Sequence, residues 1–167
     1  YYAKGQPSSG EILEHDVKFA INWEEGQKTG FFLDQRENRR ILGRYVKGKS
    51  VLNCFCYTGG FSMYALANGA RSVHSMDISK TAMDMVAQNH TLNAFGDYHQ
   101  MDTANVMHSL SDENLPQYEV VIVDPPAFAK SVKKRHNAVQ AYKRLNIMAL
   151  QKVKHKGYLF TFSCSQV

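Results

Sequence analysis

Cysteine is scarce in this chain, with three residues in 167, at positions 54, 56 and 164, too few and too badly placed for a disulfide framework. Cys54 and Cys56 also lack the two-residue gap of usual zinc pairs, and the seven histidines show no ligand spacing, so free thiols and no metal are expected. No apolar run approaches the roughly 20 residues that a membrane helix needs. The segment from Tyr1 onward lacks the charged and apolar parts of a signal peptide. Both absences lead to the expectation of a soluble, cytoplasmic protein with no membrane partner. Internal repeats and low-complexity tracts are missing too. What is present is an ordinary globular composition, 44% apolar and 21% charged, long enough to bury one core. The formal charge of +5 is compatible with a polyanionic partner but too diffuse to identify one.

Strand and helix signals alternate along most of the chain, the pattern of an α/β protein with a parallel sheet. Residues 1 to 10 read as a linker. Val17 to Trp23 alternates as a strand, and Phe31 to Leu33 reads as its hairpin partner across Glu24 to Gly30. The domain division expected is thus 1–33, linker and hairpin, and 34–167, the main domain. Asp34 is a plausible N-cap for a helix running to Tyr45. The repeating part then begins. Val51 to Phe55 is an apolar strand, Tyr57 to Gly60 a turn, and Phe61 to Asn68 a helix closed by Gly69. A second strand ends at Asp77, before a helix capped by Ser79. A third, weaker unit covers Tyr98 to Leu110. Val120 to Val123 is continuously β-branched and stops at Asp124-Pro125-Pro126. A helix from about Ala138 to Lys152 and a fifth strand, Tyr158 to Phe162, complete the pattern.

In a doubly wound sheet, ligands bind beyond the carboxyl ends of the strands, and those ends carry the unusual residues here. The Gly59-Gly60 turn is not G-x-G-x-x-G, so no phosphate cradle is indicated, and alone it is more often just a turn. Asp77, at the second strand end, can accept the hydroxyl protons of a ribose or merely cap a helix. Asp102 can accept from an adenine amino group or merely begin the next helix. Together they describe an adenosine pocket without a pyrophosphate clamp, which shifts the expectation from a dinucleotide to S-adenosylmethionine. Two prolines hold the chain rigid after Asp124, so this carboxylate and the adjacent carbonyls suit the edge of an unstacked nucleobase. The bland reading is a strand-terminating turn.

Lys28-Thr29-Gly30-Phe31-Phe32-Leu33-Asp34-Gln35-Arg36, Val51 through Ser62, Asp124-Pro125-Pro126-Ala127-Phe128 and Thr161-Phe162-Ser163-Cys164-Ser165 resemble the large-subunit ribosomal RNA cytosine-5 methyltransferases of bacteria. The likeness runs from about Val17 to the last residue. It implies a Rossmann-like class I methyltransferase with strand order 3-2-1-4-5, a preceding β-hairpin, S-adenosylmethionine as donor and ribosomal RNA as substrate and partner. Gln35, Arg36, Phe55, Tyr57, Thr58, Gly59, Asp77, Ile78, Asp102, Thr103 and Asp124 are the cofactor-binding positions it implies. Such enzymes usually carry an RNA-binding PUA domain ahead of the hairpin and two further strands after the fifth, so a fragment is expected. A homodimer is left open.

The resemblance assigns Cys164 as a nucleophile and Asp124 as its catalytic neighbour. Carbon 5 of cytosine is a poor nucleophile until a thiolate adds to carbon 6, and an ordinary thiol, with a pKa near ~8.5, needs activation. Without the motif, Cys164 reads as a structural thiol. Related RNA cytosine-5 enzymes often place a second cysteine directly after Pro-Pro, where this chain has Ala127. Cys54 and Cys56 read as packing residues. For the RNA, Pro125, Pro126, Phe128, Lys130, Lys133, Lys134 and Arg135 are the candidate substrate contacts, although Phe128 can equally belong to the core. His136 extends that basic loop, and Lys152, Lys154 and Lys156 are expected to flank the crevice mouth with it. Two alternatives stay open: a purine-nitrogen methyltransferase of the same fold, needing no adduct, and an idle module that binds cofactor or RNA.

Overall fold

Four consecutive β-branched residues, Val120 to Val123, are buried on both faces only where helices cover each side of a sheet, and all four are fully buried. The computed structural model describes residues 9–22, 31–128 and 135–164. In chain order these form β1 (Ser9–Glu14), β2 (Val17–Asn22), a 3-10 turn (Leu33–Gln35), α1 (Arg36–Gly43), β3 (Ser50–Cys54), α2 (Gly60–Ala67) and β4 (Ser72–Asp77). There follow α3 (Lys80–Leu92), β5 (His99–Thr103), α4 (Val106–Ser111), β6 (Tyr118–Val123), α5 (Arg135–Gln151) and β7 (Val153–Thr161). The last five strands make one parallel sheet, ordered β5-β4-β3-β6-β7, which is the expected 3-2-1-4-5 arrangement. Among the described residues no helix is long and apolar enough to cross a membrane.

Alternation along the strands divides the core in two. Val51, Val73, Val120 and Ile122 face one cluster, to which α2 and α3 add Met63, Leu66 and Val86. Leu52, Met76, Val121 and Val123 face the other, where α4 and α5 add Leu110, Leu145 and Ala149. The helix after β3 therefore lies on one face and the helix after β6 on the other. These two strands are neighbours, so the topological switch point, and with it the crevice, falls between them. Ser79 caps α3 as expected, its hydroxyl accepting from the Ala82 amide at 3.2 Å.

The hairpin differs from the expectation. β2 pairs antiparallel with the upstream β1, not with residues after Gly30, and Ile12, Val17 and Phe19 pack into the first cluster. A two-residue turn joins them, with His15 at φ 46° and Asp16 at φ 68°, both left-handed as a primed hairpin turn requires. Phe31 and Phe32 precede the 3-10 turn instead of forming a strand. Asp34 does not cap α1: it lies inside that turn, and Gln35 takes the cap position without a side-chain bond. A further consequence of the hairpin is that α2 is covered on its outer side, and every residue from Phe61 to Leu66 is buried.

A polar chain crosses the first face of the sheet. Asn53 Nδ2 donates to Ser62 Oγ at 2.8 Å, Ser62 and Ser75 hydroxyls meet at 2.6 Å, and Ser75 meets His99 Nε2 at 2.7 Å. Burial, then the nearby His90 and His74, lower the His99 pKa to about 3. His99 is thus neutral when folded, while the unfolded chain takes up a proton below pH ~6.5. Its contribution is full above that pH and declines towards pH 3. About 2 kcal/mol should be lost between pH 7 and 5. Denaturant midpoints at the two pH values should show a smaller pH loss for His99→Gln, which can still bond Ser75 but cannot titrate.

Candidate active site

The loop that follows β3 is held in unusual geometry. Phe55 and Tyr57 have φ of 57° and 49°, costly for bulky residues, and Gly59 follows at 82°. The strain is fixed by backbone bonds: the Cys56 amide donates to the Met76 carbonyl at 3.1 Å, and the Gly59 amide to Cys56 at 2.8 Å. Asp77, at the end of β4, completes the arrangement. Its Oδ2 accepts from the Tyr57 amide at 2.9 Å and its Oδ1 from the Ser79 amide at 3.0 Å. Each carboxylate oxygen has a second lone pair, so two ligand hydroxyls can still be accepted.

These groups border one cavity of ≈ 840 Å³, bounded by the carboxyl ends of β3, β4, β6 and β7. Of the expected cofactor positions, Gln35, Phe55, Tyr57, Thr58, Asp77, Ile78 and Asp124 line it. Pro125, Pro126 and Cys164 line it as well. Its aromatic and apolar wall, with a carboxylate on the β4 side, fits the adenosine part of S-adenosylmethionine, and Asp77 is the residue that would hold the ribose. The half-buried Asp124 stands across from α1, where Gln35 Nε2 donates to its two oxygens at 3.5 and 3.4 Å. Asn38 in turn donates to Gln35 Oε1 at 2.7 Å.

Cys164 is exposed, whereas Cys54 and Cys56 are buried. Burial pushes the Cys54 thiol up to about 12, and burial followed by the Asp77 charge pushes Cys56 well above its ordinary value. Cys54 is therefore a packing group of the core, and Cys56, although it lines the cavity, is a buried thiol disfavoured as thiolate. The third is carried by the chain just past β7, where the Phe162 amide bonds to the Val123 carbonyl at 2.9 Å. The Phe162 ring stacks on Phe61 at 5.1 Å, and Phe61 lines the cavity.

Other expected positions lie elsewhere. Asp102 accepts from His74 Nε2 at 2.8 Å and Gln100 Nε2 at 2.9 Å, and neither it nor Thr103 lines the cavity. Arg36 reaches His15 instead, at 3.5 Å, and Gly59 is covered by Val86 and Met63. Phe128 packs against Tyr142, with ring centres 4.6 Å apart, in the second core cluster. Arg135 and His136 are exposed at the start of α5. Lys130, Lys133 and Lys134 lie outside the described residues. The second lysine group requires a correction. β7 begins at Val153, so Lys154 and Lys156 occupy a bulge at the amino end of a parallel sheet, away from the crevice mouth. Lys152 is buried there, donating to the Asp112 and Leu115 carbonyls at 2.6 and 2.9 Å.

Sequence reasoning missed Phe31, Phe32 and Arg39 as cavity residues, together with Thr81, Asp84 and Gln88 of α3. Arg39 repeats the Arg36 motif position one helical turn later, which was the available signal.

The family profile described as S-adenosylmethionine-dependent methyltransferase matches residues 2–161. A protein named Ribosomal RNA large subunit methyltransferase I, from Shewanella amazonensis, is 43% identical over 158 residues, 92% of this chain and 40% of its own length. Its namesake from Tolumonas auensis is 38% identical over 98% of this chain and 42% of its own length. The chain thus spans about two fifths of these curated relatives. The crystal structure of SMU.776 complexed with SAH superposes with a TM-score of 0.83 at 29% identity, covering 96% of this chain and 43% of that one.

Proposed function

The chain belongs to the S-adenosylmethionine-dependent methyltransferase family, and on that premise we propose that it methylates carbon 5 of a cytidine in large-subunit ribosomal RNA through a covalent bond to Cys164. The names of the curated relatives support the RNA class. One observation carries the cytosine chemistry: the thiol at 164 borders the same cavity as Asp77 and Asp124 and is the exposed one of the three, whereas Cys54 lies outside the cavity lining and Cys56, which also lines it, is buried with its thiol pushed well above the ordinary value.

When bound, S-adenosylmethionine supplies an electrophilic methyl group on a positively charged sulfur. Asp77 would hold the ribose, and the strained loop from Phe55 to Tyr57 would back the adenosine. Cys164, as thiolate, forms a bond to carbon 6 of the flipped cytosine, and the electrons of the ring double bond move towards carbon 5. Carbon 5 takes the methyl as the bond between that methyl and the donor sulfur breaks, its electron pair returning to sulfur and S-adenosylhomocysteine leaving. A base then removes its proton, the double bond re-forms, and the bond from sulfur to carbon 6 breaks, returning the thiolate. Ala127 offers no second thiol for this elimination. Asp124, directly or through a water, is the carboxylate we assign to it, with Gln35 fixing its orientation. The basic run that includes Lys130, Lys133, Lys134 and Arg135 supplies phosphate contacts after the Pro-Pro corner, and binding should weaken steeply with salt.

Trapping tests the proposal. Fluorine at carbon 5 blocks the final proton removal. The intact protein, incubated with donor and large-subunit RNA containing 5-fluorocytidine, should give a denaturation-resistant adduct whose mass maps to the Cys164 peptide. Methylated RNA without any adduct would overturn the cytosine reading and favour attack by a nitrogen.

A further inference from the structure

Arg39 is 2% exposed, and each of its polar groups has a defined partner. Nε and Nη2 donate to Oε1 and Oε2 of Glu14 at 2.8 and 2.9 Å, the two-point match of guanidinium and carboxylate. Nη1 donates to the backbone carbonyl of Phe32 at 2.9 Å. The guanidinium carbon lies 4.5 Å from the centre of the Phe31 ring. Gly60 leaves room for this side chain, since a Cβ there would stand 3.3 Å from Arg39 Cδ. Tyr64 closes the cluster by donating to Glu14 Oε1 at 3.0 Å; burial, then this bond, push its phenol upward and keep it a donor.

The pair leads to the cavity. Phe31, Phe32 and Arg39 all line it. The Phe32 ring meets Tyr57 edge-on, with centres 5.3 Å apart, and Tyr57 is the left-handed residue whose amide holds Asp77. A buried ion pair is seldom more stable than apolar residues of similar volume, so stability alone does not account for charges at these positions. A geometric role does. We infer that the Glu14–Arg39 pair is a positioning device for the cofactor: the hairpin carboxylate aims the guanidinium, which fixes the Phe32 carbonyl and, through the Phe32 ring, the Tyr57–Asp77 wall. The inference rests on the cavity being the S-adenosylmethionine site.

Glu14→Leu combined with Arg39→Met separates positioning from packing. Calorimetry with S-adenosylhomocysteine and thermal melting are measured on the intact protein and this double variant, with Asp77→Ala as reference. Melting near that of the parent with the Kd raised about tenfold or more supports positioning. Parental melting and parental Kd together overturn it. Should the double variant not fold, Arg39→Lys decides: it keeps the cation opposite Glu14 but cannot also reach the Phe32 carbonyl. A Kd raised about tenfold supports the inference, and an unchanged Kd overturns it. Failure of the cavity assignment looks different, because parental binding would then be insensitive to Asp77→Ala.

Discussion

Cys164→Ala is expected to lower methyl transfer to large-subunit RNA by roughly four to six orders of magnitude, the scale on which an enzyme loses its covalent nucleophile. Binding of S-adenosylhomocysteine should persist, because Asp77 is held by the Tyr57 and Ser79 amides and the loop after β3 by the bond from the Cys56 amide to the Met76 carbonyl. The two readouts together are informative. A collapsed protein would lose both, and a nitrogen methyltransferase would keep both. Cys54→Ala provides the control, since that thiol is sealed beneath the sheet and pushed up to about 12. Removing it should alter stability while leaving the adduct with 5-fluorocytidine intact. Retained turnover in Cys164→Ala sinks the covalent mechanism, whatever happens to the cofactor.

The parallel sheet and its switch point were legible because both rest on short-range signals of one sign. Val120 to Val123 can only be a doubly covered strand, Ser79 begins α3 with its own hydroxyl, and Gly69 follows α2 in the left-handed region. The hairpin was misread because its turn carries neither glycine nor asparagine. His15-Asp16 adopts two positive φ values, while the more obvious breakers between 24 and 30 drew the pairing downstream. Asp102 shows another limit. Position at a strand end does not say which face a side chain takes, and alternation turns this one towards His74, whose ring also bonds the Tyr118 hydroxyl at 2.7 Å. Lys152 to Lys156 were placed at the crevice mouth although residues that precede or open a strand of a parallel sheet lie at its amino end, opposite the crevice, wherever the strand is taken to start. The bulge in β7 breaks the period that would have revealed its true start. Arg39 escaped notice since its partner, Glu14, lies 25 residues away on the misread hairpin.

For Asp77→Ala, affinity for S-adenosylhomocysteine should fall roughly 10²–10⁴-fold, the equivalent of two lost hydrogen bonds to a charged acceptor. Two different losses are combined in that figure. The carboxylate borders the cavity, where it has lone pairs for ligand hydroxyls, but it also accepts the Tyr57 and Ser79 amides, so alanine leaves two backbone donors to find water and releases a loop held at positive φ. An analogue of S-adenosylhomocysteine lacking both ribose hydroxyls separates them by a double-mutant cycle. If Asp77 binds the ribose, the parent protein should discriminate strongly against the deoxy analogue, and the alanine variant should bind both ligands almost equally. If the carboxylate only shapes the loop, alanine should cost the same factor for either ligand. Asp77→Asn refines the contrast, because the amide keeps one acceptor oxygen while its NH2 faces a backbone donor. A coupling near zero would leave Asp77 a structural anchor for Tyr57, and the ribose would then need another acceptor along the same wall.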